Sequence, residues 1–130
     1  MQCTRGKIDQ TLAIADLKRF VADRELELQI SRKRHPARYE EKVAVIGSGP
    51  CGLACALDLV RSGFSVTVFE ALPVAGGMLA VGIPAYRLPK EIIQREIAAI
   101  CEEGVELRTN CQVGRDITIE ELKGLGYKYF

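Results

Sequence analysis

The chain lacks the features that mark membrane, secreted and nucleic-acid-binding proteins. No apolar run in its 130 residues approaches the roughly 18–20 residues that span a bilayer, and residues 1–6 contain no apolar signal-peptide core. The chain has eighteen Lys and Arg residues and seventeen Asp and Glu residues, and this net charge of +1 argues against a bulk electrostatic attraction to nucleic acid. We therefore expect a cytoplasmic protein of one domain's length that binds neither membranes nor nucleic acid.

Cysteine motifs are also missing. No two of the five cysteines form a C-x-x-C pair, and their number is odd, so neither a disulfide framework nor a zinc site is expected. The cysteines are Cys3, Cys51, Cys55, Cys101 and Cys111.

The first 40 residues predict a helical arm followed by a linker. Leu17, Phe20 and Val21 belong to an apolar pattern with mostly helical spacing, which predicts an amphipathic helix near residues 11–24. Residues 31–39 are polar and basic and include Pro36, as is typical of a linker. We expect an arm over residues 1–40 and a nucleotide-binding domain over 41–130.

The second part begins with a β-α-β pattern. Residues 43–46 and 65–69 are β-branched runs that predict buried parallel strands. Between them, a helix is predicted from about Pro50 to Arg61, ended by Gly63. The fold class indicated is α/β, a Rossmann-like three-layer domain with a mostly parallel sheet, preceded by the helical arm.

Weaker signals continue this alternation. Residues 71–88 predict a long loop, residues 90–103 a helix and residues 105–108 a third strand. Thr118 and Glu121 have the spacing of a capping box, which predicts a short helix. A last strand is expected from Tyr127, and its open edge could allow self-association.

A glycine-rich turn joins the first strand to its helix as Gly47-Ser48-Gly49-Pro50-Cys51-Gly52. In a dinucleotide site, Gly47 permits the tight turn, Gly49 lets a pyrophosphate approach the backbone, and Gly52 allows close packing of helix on sheet. Pro50 suits a first helical position because its missing N–H costs nothing there. The alternative is a turn that is glycine-rich without binding any ligand.

An acidic residue strengthens the dinucleotide reading. Glu70 follows the second strand 18 residues after Gly52, where a carboxylate accepts hydrogen bonds from both hydroxyls of a ribose. The same negative charge repels a 2′-phosphate, so we expect the site not to hold NADP. NAD and FAD both remain open at this point.

Two further blocks narrow the choice by resemblance. Gly76-Gly77 follows the acidic residue, as in flavoproteins with two dinucleotide-binding domains, and the sequence GGMLAVGIPAYRLP begins at Gly76. This block, with a following GVEL and GRDIT and with KRFVAD in the arm, resembles the FAD-binding part of the NADPH-dependent glutamate synthase small subunit. Dihydropyrimidine dehydrogenase contains a similar module, and the resemblance covers nearly the whole chain.

The resemblance implies roles for particular residues. Gly47, Gly49, Pro50 and Cys51 would line the pyrophosphate of FAD, and Glu70 would hold the adenosine ribose. Other positions would contact the cofactor along its length: Gly77, Met78 and Leu79 beside the ribityl and phosphate part, Arg87 as a buried loop cation, and Val113 at the adenine through its backbone. A surface ion pair is the alternative for Arg87.

Two departures from that family bear on function. The family carries two four-cysteine groups for [4Fe–4S] clusters, whereas Cys3 looks like only a remnant of the second group, so no metal site is expected. The family also continues with an NADPH-binding domain, so the chain resembles a fragment truncated at both ends.

The function expected is therefore the FAD-binding part of an oxidoreductase that passes electrons from NADPH through FAD to iron–sulfur clusters or to a larger partner subunit. No general acid, base or nucleophile is marked, so the chain alone should be catalytically incomplete. The alternatives are a non-catalytic dinucleotide-binding module and an interaction protein that docks a partner through its helical arm.

Overall fold

The protein is described by a computed structural model over residues 3–28 and 32–130, and it divides into the units Met1–Ser31 and Arg32–Phe130. The first unit contains a 3₁₀ turn at Thr4–Lys7 and helix α1 at Ile14–Leu28. The helix begins three residues later than predicted and extends four residues further. Its described side chains all lie exposed or half-buried, including the apolar Leu17 and Phe20.

Residues 32–41 form no helix or strand, as the linker pattern predicted. They belong to the second unit and are fastened within it, because the amide of His35 donates to the carbonyl of Glu103 at 2.9 Å and the amide of Arg38 donates to the carbonyl of Gly63 at 2.7 Å. The division between the units accordingly lies at Ser31, while the functional boundary at residue 40 stays a prediction.

Four parallel strands form the sheet of the second unit, in the order β3-β2-β1-β4. The two predicted strands of the β-α-β unit are confirmed, in a register that pairs Val43 with Val66 and Val45 with Val68. The third strand is one residue shorter than expected. The strands are β1 (Lys42–Ile46), β2 (Ser65–Phe69), β3 (Glu106–Arg108) and β4 (Tyr127–Tyr129).

Helices cover both faces of the sheet, since alternate strand residues point to opposite sides. Helix α2 (Pro50–Ser62) packs Ala56 and Val60 on one face, where Val43, Val66 and Val68 are buried. Helix α5 (Ile119–Gly124) packs Leu122 on the other face, against Ala44, Phe69 and Tyr127. The three-layer Rossmann-like arrangement is therefore confirmed.

Helix ends follow the signals in the sequence. Gly63 adopts a left-handed conformation, φ 102°, directly after α2. Thr118 and Glu121 form the predicted capping box at α5, each side chain accepting a hydrogen bond from the other residue's amide. Helix α4 (Lys90–Glu102) buries Ile93 and Ile97.

The segment between β2 and α4 is not loop throughout. It contains the short helix α3 (Met78–Val81), which the sequence did not indicate because four residues are too few to show helical periodicity. Lys90 clamps the end of this helix, since its ammonium group donates to the carbonyls of Ala80 and Ile83. The segment therefore has a defined conformation that specific hydrogen bonds stabilise.

The strand order indicates where a ligand-binding crevice would lie. Strands β2 and β3 lie on one side of β1 and β4 lies on the other, so the connections reverse direction at β1. Ligands of open α/β sheets bind at such a switch point, outside the carboxyl ends of the strands. Gly47 and Glu70 stand at those ends.

Within the described residues, no helix is both long and apolar enough to cross a bilayer.

Candidate dinucleotide-binding site

The glycine turn leaves β1 through a conformation that only glycine adopts readily. Gly47 has φ 97°, and its amide donates to the carbonyl of Phe69 at 2.8 Å, which fastens the turn to the neighbouring strand. Gly49 then precedes α2, whose first residue is Pro50. The turn thus directs the N-terminus of α2 toward the carboxyl edge of the sheet.

Gly52 is required by packing. A Cβ atom built on Gly52 would stand 2.1 Å from the carbonyl oxygen of Gly47, a clash with backbone that cannot be relieved locally. The absence of a side chain here brings the first turn of α2 against the end of β1.

Neither backbone conformation nor packing explains why a glycine stands at position 49. Its φ of −65° suits any residue, and a Cβ atom built there would meet no protein atom within 4 Å. The protein therefore leaves open space in front of Gly49 that a side chain would fill. Such a space fits a ligand group that must approach the backbone closely.

Backbone donors face this space. The first amides of a helix have no intrahelical acceptor, and among the described residues no hydrogen bond is seen from the amides of Cys51 and Gly52. The positive end of the 13-residue helix α2 adds to their attraction for an anion. A pyrophosphate matches both the donors and the space. The thiol of Cys51 is exposed and unpaired with another cysteine.

Glu70 follows β2 and is only 7% exposed, yet its carboxylate is well satisfied. Its Oε2 accepts from the Ser48 amide at 2.9 Å and from the Ser48 hydroxyl at 2.5 Å, and its Oε1 accepts from the Leu72 amide at 2.8 Å. Burial alone would raise the pKa of Glu70, but the hydrogen bonds from Ser48, Leu72 and Ala71 outweigh it and lower that pKa. The site therefore carries a negative charge at neutral pH.

Ser48 joins the two parts of the site. It is completely buried, and besides donating to Glu70 its hydroxyl accepts from the amide of Gly76 at 3.1 Å. Its amide and its hydroxyl are thus occupied by protein partners. Ser48 therefore stabilises the site through contacts within the protein. The glycine motif alone could not distinguish this role from contact with a ligand.

The glycine doublet lies against the turn. Gly77 has φ 52°, and a Cβ atom built on it would stand 2.9 Å from the Cα of Gly49. The next residue, Met78, is 70% exposed, whereas Leu79 packs half-buried against the core cluster of Leu53, Ile93 and Ile97. Contacts therefore bring together the glycine turn, Glu70 and the doublet, as expected from the sequence.

Arg87 and Val113 lie apart from these contacts. Arg87 is exposed rather than buried, in a turn where its amide donates to the carbonyl of Pro84 at 2.9 Å. No ion pair of its side chain is seen among the described residues, so a surface ion pair does not explain it either. Val113 is half-buried at a bridge to Ile117. Cofactor contacts of both remain predictions.

A family model of known proteins matches the stretch of chain that contains these residues. Residues 45–82, which contain the glycine turn, Glu70 and the doublet, match the family described as NAD(P)-binding Rossmann-like domain. That region is less than a third of the chain, and it coincides with the part of the second unit described above.

Curated relatives match over 93% of this chain. They include the beta subunit of NADP(+)-dependent formate dehydrogenase from Moorella thermoacetica (46% identical), subunit PreT of NAD-dependent dihydropyrimidine dehydrogenase from Salmonella typhimurium (41%) and the glutamate synthase [NADPH] small chain of Bacillus subtilis (43%). The chain spans 20%, 29% and 25% of their respective lengths. The resemblance to the glutamate synthase small chain and to dihydropyrimidine dehydrogenase is confirmed.

A solved structure agrees on the fold. FprA from Mycobacterium tuberculosis, determined in complex with NADPH, superposes with a TM-score of 0.57 over 65% of this chain and 20% of its own. At 22% identity this likeness shows a shared fold.

Proposed function

We propose that the chain is the FAD-binding part of a flavin-dependent oxidoreductase in which electrons pass from NADPH through FAD to iron–sulfur clusters or to a partner subunit. The observation that carries the proposal is Gly49, where the fold keeps open a space that no backbone strain and no packing requires. The similarity to oxidoreductase subunits over 93% of the chain supports the direction of the chemistry.

Different residues of the chain would bind different parts of FAD. The amides of Cys51 and Gly52 would hold the pyrophosphate, which the N-terminus of α2 also attracts. Glu70 would accept a hydrogen bond from the adenosine ribose. Gly77, Met78 and Leu79 would lie beside the ribityl and phosphate part of the cofactor. Arg87 would reach the FAD, and Val113 would contact the adenine through its backbone.

FAD would supply the redox chemistry, since a flavin accepts a hydride and releases single electrons. The protein's part is to bind and orient it, and to exclude NADP from this site through the charge of Glu70. The NADPH and the [4Fe–4S] clusters of the family would be held by other parts of a complete enzyme. The described residues contain no cluster of three or more potential metal ligands.

The helical arm offers a surface to which a partner protein could bind. Helix α1 exposes the apolar side chains of Leu17, Phe20 and Val21, the last two of which follow Leu17 by three and four residues. The relatives are named as subunits or as a small chain, so contact with a larger subunit is the role we propose for this helix. The open edge of β4 offers a second route to association.

The test is a flavin titration. Adding the purified chain to FAD should shift the flavin absorbance and quench its fluorescence with a saturable stoichiometry of one. The Gly49→Val variant serves as the control, since it alters only the open space. Binding of adenine nucleotides without flavin would favour the non-catalytic dinucleotide module, and binding of neither would leave the interaction protein.

A further inference from the structure

Lys90 lies at a position where its own helix disfavours a cation. It is the first residue of the 13-residue helix α4, and the positive end of a helix favours acidic side chains and repels basic ones. The side chain is nevertheless half-buried, and ordering a lysine side chain costs conformational entropy. Contacts outside α4 must therefore account for this lysine.

Those contacts are with α3. The ammonium group of Lys90 donates to the carbonyl of Ala80, within α3, and to the carbonyl of Ile83 at 2.8 Å, just beyond the end of that helix. The last carbonyls of a helix have no intrahelical donor and carry the negative end of its dipole, so a cation stabilises them in both respects. Lys90 therefore caps α3, although it belongs to α4.

The other end of α3 begins at the glycine doublet. Gly77 directly precedes this helix and packs against Gly49, while a Cβ atom built on Gly76 would stand 3.1 Å from the Cγ2 atom of Ile93. Ile93 follows Lys90 by three residues, so both side chains lie on the same face of α4. Helix α4 thus contacts the segment at both ends, with Ile93 at the doublet and Lys90 at the C-terminus of α3.

We infer that Lys90 is a positioning residue for the flavin half of the cofactor. By capping α3, it holds Gly77, Met78 and Leu79 in the arrangement that the ribityl and phosphate part of FAD would meet. This inference rests on the proposed function, which sets those three residues beside FAD. A site that adopts its binding-competent arrangement only part of the time loses affinity in proportion. Removing the cap should therefore weaken FAD binding.

The test compares FAD with ADP, which contains the adenosine and the pyrophosphate but no flavin. Lys90→Met keeps the length of the side chain and removes its donors. FAD should bind this variant about tenfold or more weakly than the wild type, the loss that corresponds to a hydrogen bond from a charged group. ADP should bind within about twofold of the wild type, a split that general destabilisation would not produce.

Two further variants accompany Lys90→Met. Lys90→Arg should restore most of the FAD affinity, because a guanidinium group has enough donors for both carbonyls. Lys123→Met is the matched control, at an exposed lysine in the last turn of α5, and should change neither affinity.

Hydrogen exchange of the ligand-free protein supplies an independent readout. The amides of Gly82 and Ile83 donate to the carbonyl of Met78 at 2.9 Å and 3.1 Å, and these bonds close the end of α3. Both amides should exchange several-fold faster in Lys90→Met than in the wild type, while the amides of α2 keep their wild-type rates. If Lys90→Met does not fold, Lys90→Gln replaces it with the same expected changes, since its neutral amide caps carbonyls less strongly.

The outcomes separate this inference from the proposed function. Equal losses of affinity for FAD and ADP would overturn the inference, and so would unchanged FAD binding or unchanged exchange at Gly82 and Ile83. Failure of the wild-type chain to bind FAD would instead overturn the proposed function, and the exchange rates would still show whether Lys90 holds α3.

Discussion

Gly77 packs against Gly49, so that a Cβ atom on Gly77 would stand 2.9 Å from the Cα of Gly49. The two glycines come from different parts of the chain, the turn after β1 and the doublet before α3. This approach leaves no room for a side chain on Gly77, and the φ of 52° at Gly77 disfavours one as well. The turn and the doublet therefore act as one structural unit.

This packing predicts a strong effect of Gly77→Ala. The methyl group would press on backbone while the residue keeps a strained conformation, so the free energy of unfolding should fall by roughly 1–3 kcal/mol and FAD affinity should drop. Thermal unfolding and flavin titration measure the two effects. Gly124→Ala is the control, because a Cβ atom there meets nothing within 4 Å. Unchanged melting and affinity in Gly77→Ala would contradict the prediction.

Gly49→Val should separate binding from folding. The added side chain enters open space at an ordinary φ of −65°, so the melting temperature should stay close to that of the wild type while FAD binding is lost. In contrast, Gly52→Ala should lower stability, since its Cβ atom would collide with the carbonyl of Gly47. Undiminished flavin affinity in Gly49→Val would refute the placement of the pyrophosphate.

Glu70→Ala should weaken FAD more than FMN, because FMN lacks the adenosine ribose. The change also leaves the amides of Ser48 and Leu72 without their acceptor, which should lower the melting temperature as well. The comparison of the two flavins by fluorescence titration removes this shared loss. An equal loss of affinity for both would count against the ribose role.

Acid stability should depend on Glu103. This carboxylate is 4% exposed and forms two hydrogen bonds of 2.7 Å with Arg61, which lower the pKa of Glu103 in the folded state. A lowered folded pKa stabilises the protein above the unfolded pKa, and that contribution is lost as the pH falls through the folded pKa. The free energy of unfolding should therefore decrease as the pH falls below the ordinary pKa of a glutamate, about 4.3.

The Glu103→Gln variant tests this dependence. Urea unfolding between pH 7 and pH 3 should show a less stable protein at neutral pH and a flatter acid limb than in the wild type. Glu91→Gln, at an exposed position in the first turn of α4, is the control. Parallel curves for the wild type and Glu103→Gln would show that the ion pair does not govern the acid transition.

Metal analysis should find no stoichiometric iron in the purified chain. A [4Fe–4S] cluster needs about four thiolates, and Cys3 belongs to no group of three or more potential ligands within residues 3–28 and 32–130. Any yellow colour should therefore persist through chelation and disappear when flavin is removed. A cluster found at one equivalent would overturn this interpretation of Cys3.

Local sequence was enough to predict most of the elements. The β-branched runs of β1 and β2, the glycine that ends α2 and the capping box at Thr118 each act over a few neighbouring residues, so their signals are readable in order along the chain. The glycine turn could be predicted for the same reason, because Gly47 and Gly52 are only five residues apart, between the end of β1 and the first turn of α2. Helix α3 was missed because four residues carry no periodicity.

Contacts between distant residues needed the folded chain. The exposure of Arg87, the strand order β3-β2-β1-β4 and the hydrogen bonds of Ser48 with Glu70 have no signature in neighbouring residues. Ser48 and Glu70 meet because the crossover through α2 sets β1 and β2 side by side with their carboxyl ends together. Periodicity and motif spacing report on local geometry, whereas the acceptor that Glu70 can offer a ligand depends on which donors the tertiary fold has already placed around it.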